Sequence, residues 1–321
     1  SPLYLYTPIV YSDTLSIMFP VMTLYFWLVA KEKLKESKVK QVIVFIILMS
    51  ISSFIGYLIK APSAIILISI FLDAIFTFKK YLKFLLITII VFIVLNFAYN
   101  SICTRFILKD NKDIAIPYTH WVMMGLNKPE EYGGTSIGWG AYSQDDVDST
   151  NQQPTHEDKV NLNIETIKQR LKDFGIYGYL SFLKHKFIYV WADPTFYVLN
   201  KIGWDTINKE SKLYDIIINY ETNKLFLTYM DYLYLFMLIV ILIGLIIDIK
   251  NKKDENTRIL IMSIIGIAIF FLIWEARSRY IYNYLPIICL LFTIGIKNIQ
   301  EIKWKNIIKR IKSFQGKEEN K

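Results

Sequence analysis

Residues 41–59 read QVIVFIILMSISSFIGYLI, and the ten residues before them, 31–40, read KEKLKESKVK. The first stretch carries no charged side chain. As a helix rising 1.5 Å per residue it spans a hydrocarbon core of about 30 Å. The second stretch holds Lys31, Lys33, Lys35, Lys38 and Lys40. An apolar block beside a short lysine-rich connection reads as a membrane span with its cytoplasmic loop.

Six further blocks repeat the pattern: 14–30, 62–78, 84–103, 229–248, 259–274 and 283–296. Together with 41–59 they predict an all-α membrane protein with about seven transmembrane helices. Pro62 and Pro286 stand near helix starts, where a missing N–H costs little. Lys79, Lys80 and Lys83 lie between the third and fourth spans. Lys250, Lys252, Lys253 and Arg258 lie between the fifth and sixth, and the tail after Lys297 is also basic. If seven spans alternate, all four basic regions fall on one side, the cytoplasmic one.

That alternation divides the chain into spans one to four (1–103), a large extracytoplasmic loop domain (104–228), spans five to seven (229–297) and a basic cytoplasmic tail (298–321). It also puts Ser1 outside with no signal peptide ahead of it, so an upstream portion with at least one more span is expected.

Composition agrees. The 321 residues are 54% hydrophobic and 20% charged, with a mean hydropathy of +0.34. The net charge of +9 comes from lysines between apolar blocks rather than from a basic face, which argues against nucleic acid as a partner. Cys103 and Cys289 are too few for a disulfide framework or a zinc site.

The outer segment is too long for a plain loop. Residues 104–155, rich in Gly, Asp, Asn and Tyr, read as irregular structure. Val160, Ile164, Ile167, Leu171 and Phe174 recur at helical spacing and predict an inward apolar stripe, with Gly175 as the stop. Residues 176–198 are aromatic-rich and include Lys184, His185 and Lys186, a composition suited to a helix lying at the headgroup level.

No hydrolase elbow, metalloprotease helix, phosphate loop or dinucleotide fingerprint occurs. The chemistry-bearing residues gather at the outer face instead. Asp13 precedes the first span, where it reads either as a helix cap or as an acid of a site. Glu275, Arg277 and Arg279 crowd the connection between the last two spans. Three charges there are costly unless paired or used, and arginine forks suit a phosphate at headgroup depth. One alternative pairs Glu275 with one arginine and leaves the other to lipid phosphates. His120, beside Trp121, reads as a structural histidine or a site residue. Asp145, Asp146 and Asp148 lack the pattern of a calcium loop and read as a solvated acidic turn. Asp73, inside the third span, is placed to pair with Lys79 or Lys80. Asp193, before Pro194, reads as a turn starter.

Four stretches together carry a resemblance: Pro8-Ile-Val-Tyr-Ser-Asp-Thr14, Pro117-Tyr-Thr-His-Trp-Val-Met-Met-Gly-Leu-Asn127, Lys184 to Asp193 with its Trp-Ala-Asp, and Glu275-Ala-Arg-Ser-Arg-Tyr280. They resemble bacterial polytopic glycosyltransferases of the GT-C type, related to protein mannosyltransferases and common in Gram-positive bacteria. The resemblance covers the whole chain as the C-terminal portion of such an enzyme.

It implies a multi-pass plasma-membrane enzyme that takes a sugar from a polyprenyl-phosphate carrier. The sugar passes, with inversion, to an envelope glycan or protein acceptor outside. It further implies Asp13 and Glu275 as acids of the site, and Arg277, Arg279, His120, Lys184 and Lys186 as contacts to substrate and carrier phosphate. The main catalytic Asp of such enzymes would lie upstream of Ser1, and a divalent metal stays open. A polysaccharide ligase or polymerase, a precursor flippase and a non-catalytic scaffold are the competing readings.

Overall fold

The computed structural model describes residues 2–7, 9, 11–77, 79–107, 112–204, 209–219, 221–251 and 255–318. Pro8 and Val10 of the first resemblance stretch, Phe78 of the third expected span, and Lys252 and Lys253 of the third basic connection lie outside them, as do the side chains of Lys79 and Lys80. Among the described residues every regular element is helical.

The chain opens with α1 (Pro2–Leu5), α2 (Ser12–Ser16), α3 (Met18–Lys35) and α4 (Val39–Ile59). A 3-10 turn, Ala61–Ala64, leads into α5 (Ile65–Thr77), and α6 (Lys79–Ile102) ends in a π-helical turn, Cys103–Ile107. The central segment holds α7 (Tyr118–Met124), α8 (Gln144–Asn151), α9 (His156–Trp191), α10 (Val198–Trp204) and α11 (Lys212–Ile217). Then follow α12 (Lys224–Asn251), α13 (Glu255–Ile273), a 3-10 segment Ser278–Tyr284, and α14 (Leu285–Glu318).

Five stretches are long and apolar enough to cross a membrane: Ser12–Lys35, Val39–Ile59, Tyr81–Ile107, Lys224–Lys250 and Ser278–Glu301. Two shorter apolar helices, Ala61–Ile75 and Thr257–Ile273, fall where the other two blocks stand. Their outward faces are apolar, as lipid contact requires. Ile90, Ile93, Val94 and Phe97 of α6 are exposed, as are Leu235, Phe236 and Leu242 of α12.

Specific contacts set the helix pairs. α3 and α4 form a hairpin whose turn has Ser37 in the left-handed region, φ 58°, with Glu36 accepting Lys33 and Lys38. α12 meets α14 where Gly244 and Gly295 let the backbones touch, and Asn298 Nδ2 donates to the Gly244 carbonyl at 3.2 Å. α5 packs on α13. There Asp73 accepts from Arg258 Nε at 2.6 Å, so the third-span carboxylate finds the arginine of a distant helix. At the other end of α5, Tyr284 Oη accepts the Ile66 N–H and donates to the Pro62 carbonyl, both at 2.9 Å, closing that helix start.

The central segment corrects three expectations. Residues 104–155 are not simply irregular, since α7 and α8 lie within them, α8 capped by Ser143. Asp146 is not solvated. It is buried and accepts both Arg170 terminal nitrogens, at 2.7 and 3.0 Å, and Asn127 Nδ2 at 2.8 Å. Before Gly175 the fully buried side chains of α9 are polar, while Val160, Ile167 and Phe174 of the expected stripe are half-buried. Lys159 and Asn163 are buried, Lys159 Nζ donates to the Asp113 carbonyl at 2.5 Å, and Asn163 meets Thr119 and Thr150. Ile164 and Leu171 of the expected stripe are exposed. Gly175 does interrupt α9, with φ 57° and ψ −176°, and past it Ile176, Tyr177, Leu180 and Phe187 are exposed.

Candidate functional site

A cavity of about 1060 Å³ lies at the end of the bundle where α4 finishes, α2 begins and α13 finishes. Its walls come from three sources. Tyr57, Leu58, Ile59 and Tyr99 belong to the ends of long apolar helices. Tyr118, Trp121 and Tyr142 come from the central segment, as do Tyr197 and Lys201. Trp274, Glu275, Arg277, Arg279 and Tyr280 come from the connection between α13 and α14.

That connection is held in place by its backbone. Glu275 N donates to the Trp121 carbonyl at 2.9 Å, and Ala276 N to the Gly140 carbonyl at 2.8 Å. Gly140 has φ 64°, and a Cβ there would collide with the Gly125 carbonyl oxygen and Lys186. Lys186 is the central peg. Fully buried, its ammonium donates to the carbonyls of Gly125 (2.5 Å), Trp274 (2.8 Å) and Leu272 (3.2 Å). Burial lowers its pKa to about 7, with nearby Glu275 opposing.

Charges line the cavity at close quarters. Glu275 is buried and accepts the Tyr280 hydroxyl at both carboxylate oxygens, 2.7 and 3.0 Å. Burial pushes its pKa above the usual carboxylate range, against the opposing Tyr280 bond and the Arg279, Lys60 and Arg277 charges. Arg279 donates to the same hydroxyl at 3.2 Å. Arg277 stacks on the Tyr197 ring, 3.8 Å from its centroid, and reaches the Tyr189 hydroxyl at 3.4 Å.

Asp13 sits behind this wall. Its carboxylate is fully buried, paired with Lys60, and 3.8 Å from Arg279 Nε. It is not the helix cap. The N-cap position is Tyr11, and Thr14, inside the first turn, accepts the Tyr11 N–H at 3.1 Å. Nor does Glu275 take Arg279 as its direct ion-pair partner, because Tyr280 stands between them.

Three expected contacts lie elsewhere. Buried His120 turns away from the cavity to Thr150, with Nδ1 to Oγ1 2.9 Å, although its neighbour Trp121 lines the cavity. Lys184 is exposed on α9, outside the cavity lining. Lys186 is buried with its ammonium on three carbonyls and is likewise absent from the lining.

Two further lysines, Lys60 and Lys201, line the cavity. Lys60 was legible in principle, as a lone lysine in the short connection between the second and third apolar blocks. Lys201 carried no such signal.

Residues 3–300 match the family described as conserved hypothetical integral membrane protein, and the chain belongs to that family. No curated protein and no solved structure matches it.

Proposed function

We propose that this integral membrane protein is a glycosyltransferase that moves a sugar from a polyprenyl-phosphate carrier to an extracytoplasmic acceptor. The cavity carries the reading. It sits at an end of the helical bundle and combines Lys60, Lys201, Arg277 and Arg279 with a buried carboxylate and many aromatic rings. Cations suit a phosphate at headgroup depth, and aromatic faces suit sugar rings.

In this reading the chain crosses the bacterial plasma membrane seven times, with its basic connections inside and residues 104–228 outside. The two shorter helices fit that count. The 3-10 turn and α5 together rise about 28 Å, and the 19 residues of α13 rise a similar distance. Both approach the hydrocarbon thickness of about 30 Å.

Glu275 acts as general base. Its carboxylate removes the proton of the acceptor hydroxyl while that oxygen attacks the anomeric carbon. The bond from that carbon to the phosphate oxygen breaks on the opposite face, and the lipid phosphate departs with the electron pair. Arginine stabilises the charge that develops there. The burial that raises the Glu275 pKa strengthens it as a base. Asp13, behind the wall, positions Lys60 and Arg279.

The test is transfer of radiolabelled sugar in proteoliposomes, from a panel of polyprenyl-phosphate sugars to envelope acceptors. The wild type transfers label, and Arg277→Ala loses at least about ten-fold, as expected for lost charge-assisted bonds. Failure of the wild type with every donor, or full activity in Arg277→Ala, overturns the reading.

A further inference from the structure

The α6 helix is held on one face only. Tyr81, Phe84, Leu85 and Thr88 are buried where it packs on α4 and α5. Beyond Thr88 the packing thins. Phe92 still meets the Phe54 ring of α4, at 5.4 Å between centroids, but every side chain from Ile89 to Ile102 is exposed or half-buried.

The outward face carries a regular seam. Leu82, Leu86, Ile89, Ile93, Asn96 and Asn100 recur at alternating steps of four and three, and all six are exposed. That is the heptad spacing with which one helix meets another along its length. An open groove of about 680 Å³ follows the second half of the seam, lined by Ile93, Asn96, Phe97, Asn100 and Thr104.

Two amides stand in this seam at membrane depth. The apolar stretch runs from Tyr81 to Ile107. At 1.5 Å per residue Asn96 is about 22 Å from its start and about 16 Å from its end. It therefore falls inside a hydrocarbon layer of about 30 Å however the helix is centred, and Asn100 follows one turn on. Among the described residues neither side chain has a hydrogen-bond partner. An amide left to lipid keeps its donors and acceptors unpaired, and asparagine is too short to carry them to the headgroups. Lipid alone does not satisfy this face.

The seam is complementary to itself, because an amide both donates and accepts hydrogen bonds. Two copies inserted with the same orientation are related by an axis normal to the membrane. That axis lays their α6 helices parallel and brings each asparagine to the depth of its own counterpart. Amides paired across helices there fix register and partner number, while Leu86, Ile89 and Ile93 supply the packing.

We propose that α6 is a homodimer interface, in which the 82–100 seam packs on the same seam of a second copy of this chain. The proposal is independent of the transferase reading.

The test counts copies of the full chain in lipid vesicles at high dilution, by single-molecule photobleaching. The wild type is dimeric. Asn96→Leu combined with Asn100→Leu weakens the dimer about ten-fold, as lost interhelical amide bonds require. Asn100→Gln, which keeps an amide, stays within about three-fold of the wild type. Leu242→Ala, exposed on α12, changes nothing. Cys103, the next position of the seam, supplies a second measure. In a Cys289→Ser background a short thiol cross-linker joins two full chains through Cys103 in native membranes. A wild type that is monomeric at every dilution overturns the proposal, as does a dimer indifferent to both leucines. Cross-linking of Cys103 to a different protein assigns the seam to another helix and overturns it too.

Discussion

The Lys186 ammonium donates to the Trp274 carbonyl at 2.8 Å, anchoring from within the segment that carries Glu275 and Arg277. A residue with the composition of a surface cation thus works as a backbone clamp between α9 and the end of α13.

Replacing that clamp leaves three carbonyls without their donor. Lys186→Met is expected to lower stability by about 2–4 kcal/mol, read as thermal unfolding in detergent. The pH dependence has a definite sign. The Lys186 pKa falls to about 7 in the folded state from 10.5, so between those values the unfolded state binds more protons. Stability from this group therefore rises with pH across that window, and is lowest below about pH 7. The melting temperature of the wild type minus that of Lys186→Met increases from pH 7 to pH 9. A flat difference would show that the amine does not titrate there.

In the proposed transfer Glu275, as base, must be unprotonated to act, and burial raises its pKa. The transfer rate then rises with pH along an acid limb displaced above the ordinary carboxylate range. Glu275→Gln lowers the rate at least about a hundred-fold, within the usual worth of a general base, and erases the limb. An unchanged limb in that variant would assign it to another group.

Asp146, buried, and Arg170, half-buried, form a two-pronged pair that joins α8 to α9. Truncating Arg170 to alanine costs about 3–5 kcal/mol because the Asp146 charge stays buried, and truncating Asp146 costs less. A double-mutant cycle of the pair gives a coupling of at least about 1 kcal/mol. Additive losses would mean that each residue acts alone.

A Cβ on Gly244 would sit 2.3 Å from the Gly295 Cα. Gly244→Ala accordingly forces α12 from α14 and costs about 1–3 kcal/mol, measurable by unfolding in bicelles. An unaltered unfolding midpoint would show that the two helices separate freely.

The amphipathic reading of α9 shows where sequence pattern misleads. Val160, Ile164, Ile167, Leu171 and Phe174 have the periodicity of a core face, yet Ile164 and Leu171 are exposed and the other three half-buried, while Lys159 and Asn163 are buried and Arg170 reaches Asp146. Periodicity finds a helix and its two faces without saying which face meets protein.

The membrane class was legible from the amino-acid order alone. Long apolar blocks of about twenty residues satisfy all their backbone groups within one segment as helices, and lysine spacing marks the connections. That order also placed Glu275, Arg277 and Arg279 together, because their proximity is local. Tertiary structure alone decided that Asp13 lies behind Lys60 and Arg279, that Lys186 clamps backbone, and that Lys201 stands beside the arginines of a connection far along the chain. These are meetings between separate helix ends. They depend on how the helices pack, which no local pattern encodes.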